Sequence, residues 1–395
     1  MSAVEKYLSQ HAEPELSELA GWPQELRYDH CLVIPAYDES PEFFQKLLAS
    51  PLSQQRPLLI LVVNRPDHIA DCPANVALLE SVAESLPNVW RSESSREDGS
   101  GALSLYDNDR WGVLCVDRHT TAIPKKQGVG LARKLGCDLA ARLIANGAVH
   151  SPWIHSTDAD ACLPADYFDA AQTLLDTSAA ATYNFEHQRG DNITAQATEA
   201  YERTLHHYVM GLKHAGSPYA HHTIGSILVI NHKHYCQARG FPKRSGGEDF
   251  YLLNKLAKLG TIEHVSCRIT LQPRLSHRVP FGTGPATIKI QHQIENGQPL
   301  LSYDPAIFDH LKTCIDTFED AIEHNQPLEQ ALQTLPELSQ NALQSLEFLQ
   351  CINHLQKNPD PAWKKRHFHH WLDAFRTLKF LRFLQAERFP PIPMT

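Results

Sequence analysis

Trp153-Ile154-His155-Ser156-Thr157-Asp158-Ala159-Asp160-Ala161-Cys162-Leu163-Pro164 is the stretch on which the reading of this chain turns. A short apolar run enters it, two carboxylates sit one residue apart, and Pro164 opens a segment whose apolar periodicity predicts a helix around Tyr167 to Leu175. Two aspartates at i and i+2 just past a strand end present hard oxygen ligands to a divalent cation. Such an ion keeps some waters and takes its remaining ligands from substrate phosphates. Asp-x-Asp also occurs in plain turns, where Asp bonds its own backbone, so the stretch gains meaning only from its company.

That company begins upstream. Cys31-Leu32-Val33-Ile34 reads as a buried strand ended by Pro35, since proline cannot serve a central ladder. Pro41 to Ala49 follows as a helix with Ser40 as N-cap. Leu58 to Val63 is continuous Leu, Ile and Val up to Asn64-Arg65-Pro66. Unbroken apolarity marks a strand covered on both faces, hence a parallel sheet with crossover helices, of which Ala74 to Leu86 is one. Arg91 to Arg110 is rich in Ser, Gly and Asp and reads as an exposed loop. Gly112 to Val116 is a third strand, Lys125 to Asn146 a long helix, and Ala179 to Phe185 a strand beyond the paired aspartates. This alternation predicts an open α/β sheet whose ligands sit at the carboxyl ends of its strands. Pro35–Glu39, Asn64 and Asp158–Asp160 all fall at such ends.

Beyond Ala195 a helix leads through His206-His207 to His221-His222, histidines that read as structural or acceptor-lining because no metal-binding spacing accompanies them. The glycine-bearing stretch from Arg239 to Gly247 precedes a helix whose first turn holds Glu248 and Asp249, acidic residues that the helix dipole also favours there. A Pro- and Gly-rich loop from Pro273 to Pro285 carries His277 and Arg278, and the pattern is wholly helical from about 287 onward. The expected organisation is a helical lead-in over 1–27, a catalytic domain over 28–286 and a helical C-terminal domain over 287–395.

The net charge of −9 argues against a nucleic-acid partner. Nine cysteines with no C-x-x-C exclude a zinc ribbon and point to a reducing compartment. The first nineteen residues are acidic and broken by Pro14, unlike a signal peptide. No apolar run approaches the roughly 20 residues of a membrane span. The expectation is a cytoplasmic protein, with Asn192-Ile193-Thr194 an incidental sequon and Trp22, Trp90 and Trp111 serving packing.

Four separated pieces then match one pattern. Pro35-Ala36-Tyr37-Asp38-Glu39 after its strand resembles the opening "IPAYNE" of family 2 glycosyltransferases with the GT-A fold. Gly128 to Gly136 resembles that family's "G-x-x-x-A-R-N-x-G", with Lys134 where Asn is usual. Asp158-Ala159-Asp160 is similar to its metal-binding D-x-D, and Gly247-Glu248-Asp249 to its late "E-D" signature. The resemblance covers roughly 28–285. It implies a GT-A type open, mostly parallel sheet flanked by helices, and a metal-dependent transfer of a sugar from a nucleotide-sugar donor to an acceptor hydroxyl. Pro35, Tyr37, Glu39 and Asn64 would border the nucleotide. Asp160, Asp158 and the late-loop His277 would hold Mn²⁺ or Mg²⁺, and Asp249 would be the general base. A nucleotidyltransferase on a related sheet and an inactive nucleotide-sugar-binding protein are the alternatives.

The residues carry matching chemistry. Negative charge on a departing diphosphate calls for cationic partners, and Arg133 and Lys134, with Lys125 and Lys126, are candidates. Like charges as close as adjacent Glu248 and Asp249 push one proton affinity up, which suits a base. Residues 362–389 are basic with apolar residues at helical spacing. They read either as a helix packed on the protein or as a peripheral contact with the inner face of the membrane.

Overall fold

His30–Ala36 forms strand β1 as the apolar run predicts, and Pro57–Pro66 forms β2 beside it in parallel register from His30↔Pro57 to Ala36↔Val63. This computed structural model describes residues 1–93, 102–275 and 282–394. The strand runs one residue past Pro35, where the sequence predicts its end. The reason lies in the ladder: Val33 C=O accepts from Thr157 N–H at 3.1 Å, so odd residues of β1 face the strand Trp153–Ser156. That ladder ends at Val33↔Ser156, and the proline's missing N–H therefore faces a side where pairing has stopped.

The further strands are β3 (Asn88–Arg91), β4 (Leu103–Asp107), β5 (Gly112–Ile123), β6 (Trp153–Ser156), β7 (Ala161–Cys162), β8 (Ala180–His187), β9 (Leu228–Asn231) and β10 (Ile262–Leu271). They form one mixed sheet in the order β3-β4-β5-β2-β1-β6-β9-β8-β10-β7. The inner run β5-β2-β1-β6 is parallel, and antiparallel pairs join on both flanks. Strand β4 falls inside the stretch read as a loop: Leu103 and Leu105 are fully buried there against β5, an alternation too short to stand out among the serines and glycines. Conversely, the helix expected over Tyr167–Leu175 is a single 3₁₀ turn at Asp169–Ala171. Tyr183 Oη donates to Tyr167 C=O at 2.7 Å and the two rings stack at 4.6 Å, so a buried aromatic contact claims the carbonyl a helix would use.

Helices α1 (Ala3–Gln10), α2 (Glu42–Leu48), α3 (Pro73–Ser85) and α4 (Gly128–Ala145) belong to the same compact unit, Met1–Gln188 with Thr223–Pro285. Helix α4 lies on β1 and β2, where a Cβ at Gly136 would overlap Val33. Its core joins Val33, Ile60, Val62, Leu131, Leu135 and Leu139. Burial pushes the Cys31 and Cys115 thiols up to about 12, and all nine cysteines are free.

The second unit is Arg189–His222 with Ala286–Thr395. Its helix α5 (Ile193–His214) is N-capped by Asn192, whose side chain accepts from Ala195 N–H at 2.8 Å, which occupies the sequon asparagine. Helices α6 (His232–Gln237) and α7 (Glu248–Leu256) return to the sheet unit, and α8 (Thr283–Glu295) follows. The C-terminal helices are α9 (Ala306–Glu323), α10 (Leu328–Thr334), α11 (Glu337–Ser345), α12 (Phe348–Leu355), α13 (Pro361–Trp371) and α14 (Ala374–Glu387), with a short pair β11 (Leu301–Ser302) and β12 (Ile392–Pro393). Phe318, Phe348 and Phe368 form the aromatic centre, and the α14 stripe Phe380, Leu381 and Leu384 is fully buried against it. The apolar face of 362–389 thus packs within this unit, while Lys365 pairs with Glu319 and Arg376 lies over Trp371. Among the described residues no helix is long and apolar enough to cross a membrane.

Candidate active site

Two arginines organise the carboxyl edge of the sheet. Arg133, in α4, is 3% exposed at its side chain and holds two signature carboxylates at once. Its Nη2 lies 2.5 Å from Asp158 Oδ1 and its Nε 3.0 Å from Glu248 Oε1, while Nη1 donates to Ser156 Oγ at 3.0 Å. Arg274, after β10, is 34% exposed and holds two others. Its Nη1 reaches Glu39 Oε1 at 2.8 Å and Oε2 at 3.0 Å, and its Nε reaches Asp160 Oδ2 at 2.8 Å. Each arginine therefore joins carboxylates from separate parts of the chain: Arg133 the β6 end to the head of α7, and Arg274 the β1 end to the β6–β7 turn.

The local sequence explains this placement. Strands β7 and β10 pair antiparallel at Ala161↔Leu271, and Gln272 N–H donates to Asp160 C=O at 3.1 Å. That register delivers Arg274 to the aspartates. Gly128 and Gly130 serve close packing: a Cβ at Gly128 would meet Ser245 Cα at 2.8 Å, and one at Gly130 would strike Pro242 and Arg244 backbone. Gly130 N–H donates to Arg244 C=O at 2.9 Å. The glycines of this segment thus dock the loop that leads into Glu248 and Asp249, with Gly247 at φ +70° starting α7.

Asp249 is half-buried at the head of α7, and its carboxyl accepts from Phe250 N–H at 2.7 Å. Burial foremost, then Glu248, pushes its proton affinity up to about 7. Burial likewise raises Asp160 to about 6, with Asp158 and Glu39 adding and Arg274 opposing. Glu39, Asp158, Asp160, Glu248 and Asp249 face two guanidiniums, so negative charge is in excess. Hard oxygen donors in such surplus suit a divalent cation. Among the described residues no three His, Cys, Asp or Glu come together as a ligand set; an ion held here would have to draw on one or two protein oxygens, with phosphate and water for the rest, as Mg²⁺ commonly does. His277 and Arg278 lie outside the described residues.

The residues that the family resemblance would place around a nucleotide sit beside this cluster. Pro35 is buried at the end of β1, and Tyr37 and Glu39 are half-buried in the turn after it. Asn64 is buried at the end of β2, its C=O accepting from Asn75 Nδ2 at 2.9 Å, while Asn75 Oδ1 accepts from Asp38 N–H at 3.0 Å. Asn75, fully buried in α3, thereby locks Asp38 in its left-handed turn at φ +56°. Sequence reasoning missed it; the available signal was a polar residue on the inward face of an apolar helix.

Two expectations need correction. Arg133 is not a surface cation free for phosphate: with four acceptors and almost no exposure it is the buried scaffold between Asp158 and Glu248. Lys134 is not with the other site residues. Its Nζ donates to Tyr7 Oη at 2.7 Å, His11 C=O at 3.0 Å and Asp138 Oδ2 at 2.7 Å. Asp138, fully buried, also accepts from Tyr7 and Tyr235 and from Glu13 N–H, so Lys134 fastens the N-terminal segment to α4. Lys125 and Lys126 are exposed before α4. In the second unit His207 Nε2 lies 3.0 Å from Tyr303 C=O, the His206 and His222 rings meet edge to face at 4.8 Å, and burial lowers His221 to about 4.

No protein-family model and no curated protein matches the chain. Among solved structures, the mannosyltransferase PcManGT from Pyrobaculum calidifontis, in complex with GDP-Man and Mn²⁺, aligns over 98% of this chain and 96% of its own at 13% identity, with a TM-score of 0.35. A likeness of that size fixes neither the fold family nor the activity.

Proposed function

We propose that residues 28–188 and 223–285, which lie in the first unit, form a GT-A type catalytic domain, that the protein is a metal-dependent family 2 glycosyltransferase, and that it moves a sugar from a nucleotide-sugar donor to an acceptor hydroxyl. The observation that carries this reading is the convergence of Glu39, Asp158, Asp160 and Glu248, from three separate sequence signatures, on Arg133 of the remaining one and on Arg274. Pro35, Tyr37, Glu39 and Asn64 border the nucleotide at the carboxyl ends of β1 and β2, where an α/β sheet receives its ligand. Asp160 and Asp158 would hold Mn²⁺ or Mg²⁺, which when bound neutralises charge on the departing diphosphate. Asp249 accepts the acceptor's proton: a base whose proton affinity lies near neutrality is ionised often enough to act and basic enough to be effective. Glu248, pinned by Arg133, keeps the head of α7 in line with Asp158.

Thermal-shift measurements with a panel of nucleotide sugars, with and without Mn²⁺, test this reading. One donor should raise the melting temperature only in the presence of the metal. Asp160→Ala should abolish that rise, while Asp249→Ala should keep it and stop transfer. A panel in which no nucleotide sugar stabilises the protein with Mn²⁺ removes the reading.

A further inference from the structure

Arg133 and Arg274 both bind signature aspartates, but they differ in what each is free to do. Arg133 is enclosed, at 3% side-chain exposure, by Asp158, Glu248, Ser156 and Thr157. Arg274 is 34% exposed. Its anchorage is in the backbone, through the Leu271↔Ala161 pairing and the Gln272 N–H bond to Asp160 C=O. The side chain can therefore leave its partners while the main chain stays beside the aspartates. Its two partners are the carboxylates of Glu39 and Asp160, from the first and third signatures.

We propose that the Arg274 guanidinium and a divalent cation compete for Asp160, and that the displaced guanidinium turns to the diphosphate of the nucleotide, coupling metal and nucleotide binding. This rests on the glycosyltransferase reading above. Two cations on one carboxylate repel each other, and Arg274 Nε already sits 2.8 Å from Asp160 Oδ2. An ion arriving alone must displace a guanidinium that, among the described residues, then keeps only Glu39 as a hydrogen-bonded partner. An ion arriving with a diphosphate releases that guanidinium to phosphate oxygens, which its planar fork of N–H donors is suited to bind. Metal and nucleotide then raise each other's affinity, and by the same factor.

The test is a Mn²⁺ titration of the full chain, read by the electron paramagnetic resonance signal of free Mn²⁺. It is run alone and with UDP or GDP, against protein-free controls, for the wild type, Arg274→Gln and Arg274→Lys. Arg274→Gln should bind Mn²⁺ alone about tenfold more tightly than the wild type, and Arg274→Lys, which keeps the charge, within about threefold of it. The nucleotide that binds should raise wild-type Mn²⁺ affinity at least about fivefold, and that enhancement should shrink in Arg274→Gln. Equal Mn²⁺ affinity in wild type and Arg274→Gln overturns the competition and leaves the glycosyltransferase reading standing. Mn²⁺ bound by no variant under any condition overturns both. Should Arg274→Gln fail to fold, a wild type whose Mn²⁺ affinity ignores every nucleotide overturns the coupling by itself.

Discussion

Gly225 lies so close to Arg133 that a Cβ there would overlap the guanidinium. Only glycine leaves room for the side chain that joins Asp158 to Glu248. Gly225→Ala should therefore destabilise the protein by about 1–3 kcal/mol, as overpacking of a dense interior does. It should also lower affinity for whichever donor stabilises the wild type. Urea unfolding checks the first expectation and donor titration the second; an unchanged midpoint would mean that Arg133 has slack the geometry does not suggest.

Removing Arg133 itself should be worse. Arg133→Met leaves Glu248 buried beside Asp249 with no cation, a loss of about 3–5 kcal/mol in comparable buried pairs. Adding Glu248→Gln should recover a good part of that loss, because the uncompensated charge disappears with it. A double-mutant cycle from chemical denaturation measures the coupling.

Asp249 sets a pH dependence of definite sign. Its proton affinity is raised from the usual 3.8 to about 7 in the folded chain. Transfer should therefore increase as pH rises through about 7, and Asp249→Asn should abolish it at every pH. Stability runs the opposite way. A raised carboxyl stabilises the fold fully below its unfolded value and loses that contribution as pH climbs from about 4 to about 7. Asp249→Asn should flatten this decline, so the variant gains on the wild type at pH 8 relative to pH 5, measured by urea midpoints.

Lys134→Met separates scaffold from site. It leaves Asp138 buried without its cation and should lower stability by about 3–5 kcal/mol. Donor affinity, measured where the variant is still folded, should stay at the wild-type value. A large loss of donor affinity with unchanged stability would return Lys134 to the phosphate.

The basic C-terminal helix gives a packing prediction. Leu381 is fully buried among Phe318, Phe348 and their neighbours. Leu381→Ala should cost about 2–5 kcal/mol of stability, read by thermal or urea unfolding. Charge reversal at exposed Lys379 should leave the midpoint within about 0.5 kcal/mol.

The inner strands were legible because burial on both faces of a parallel sheet demands unbroken apolar runs, and Leu58–Val63 is one. Strand β4 was not, since Leu103 and Leu105 alternate for too few residues beside a polar stretch. The one-turn Asp169–Ala171 escaped for another reason: its helical periodicity was real, but the Tyr183–Tyr167 contact prevailed over it. The candidate carboxylates could be found from sequence because strand ends are punctuated by Pro, Asn and Asp.

Their cations could not. Arg133 and Lys134 are neighbours in the chain, yet helical rotation turns one toward Asp158 and Glu248 and the other toward Tyr7 and Asp138. Nothing in the dipeptide says which. Arg274 reaches Asp160 across more than a hundred residues through the β7–β10 register. The stretch from Trp153 to Pro164 thus fixed by itself a strand end carrying two carboxylates. Only the tertiary structure divided them, Asp158 to a buried arginine and Asp160 to a half-exposed one, because long-range pairing and not local pattern chooses the partner of a charge.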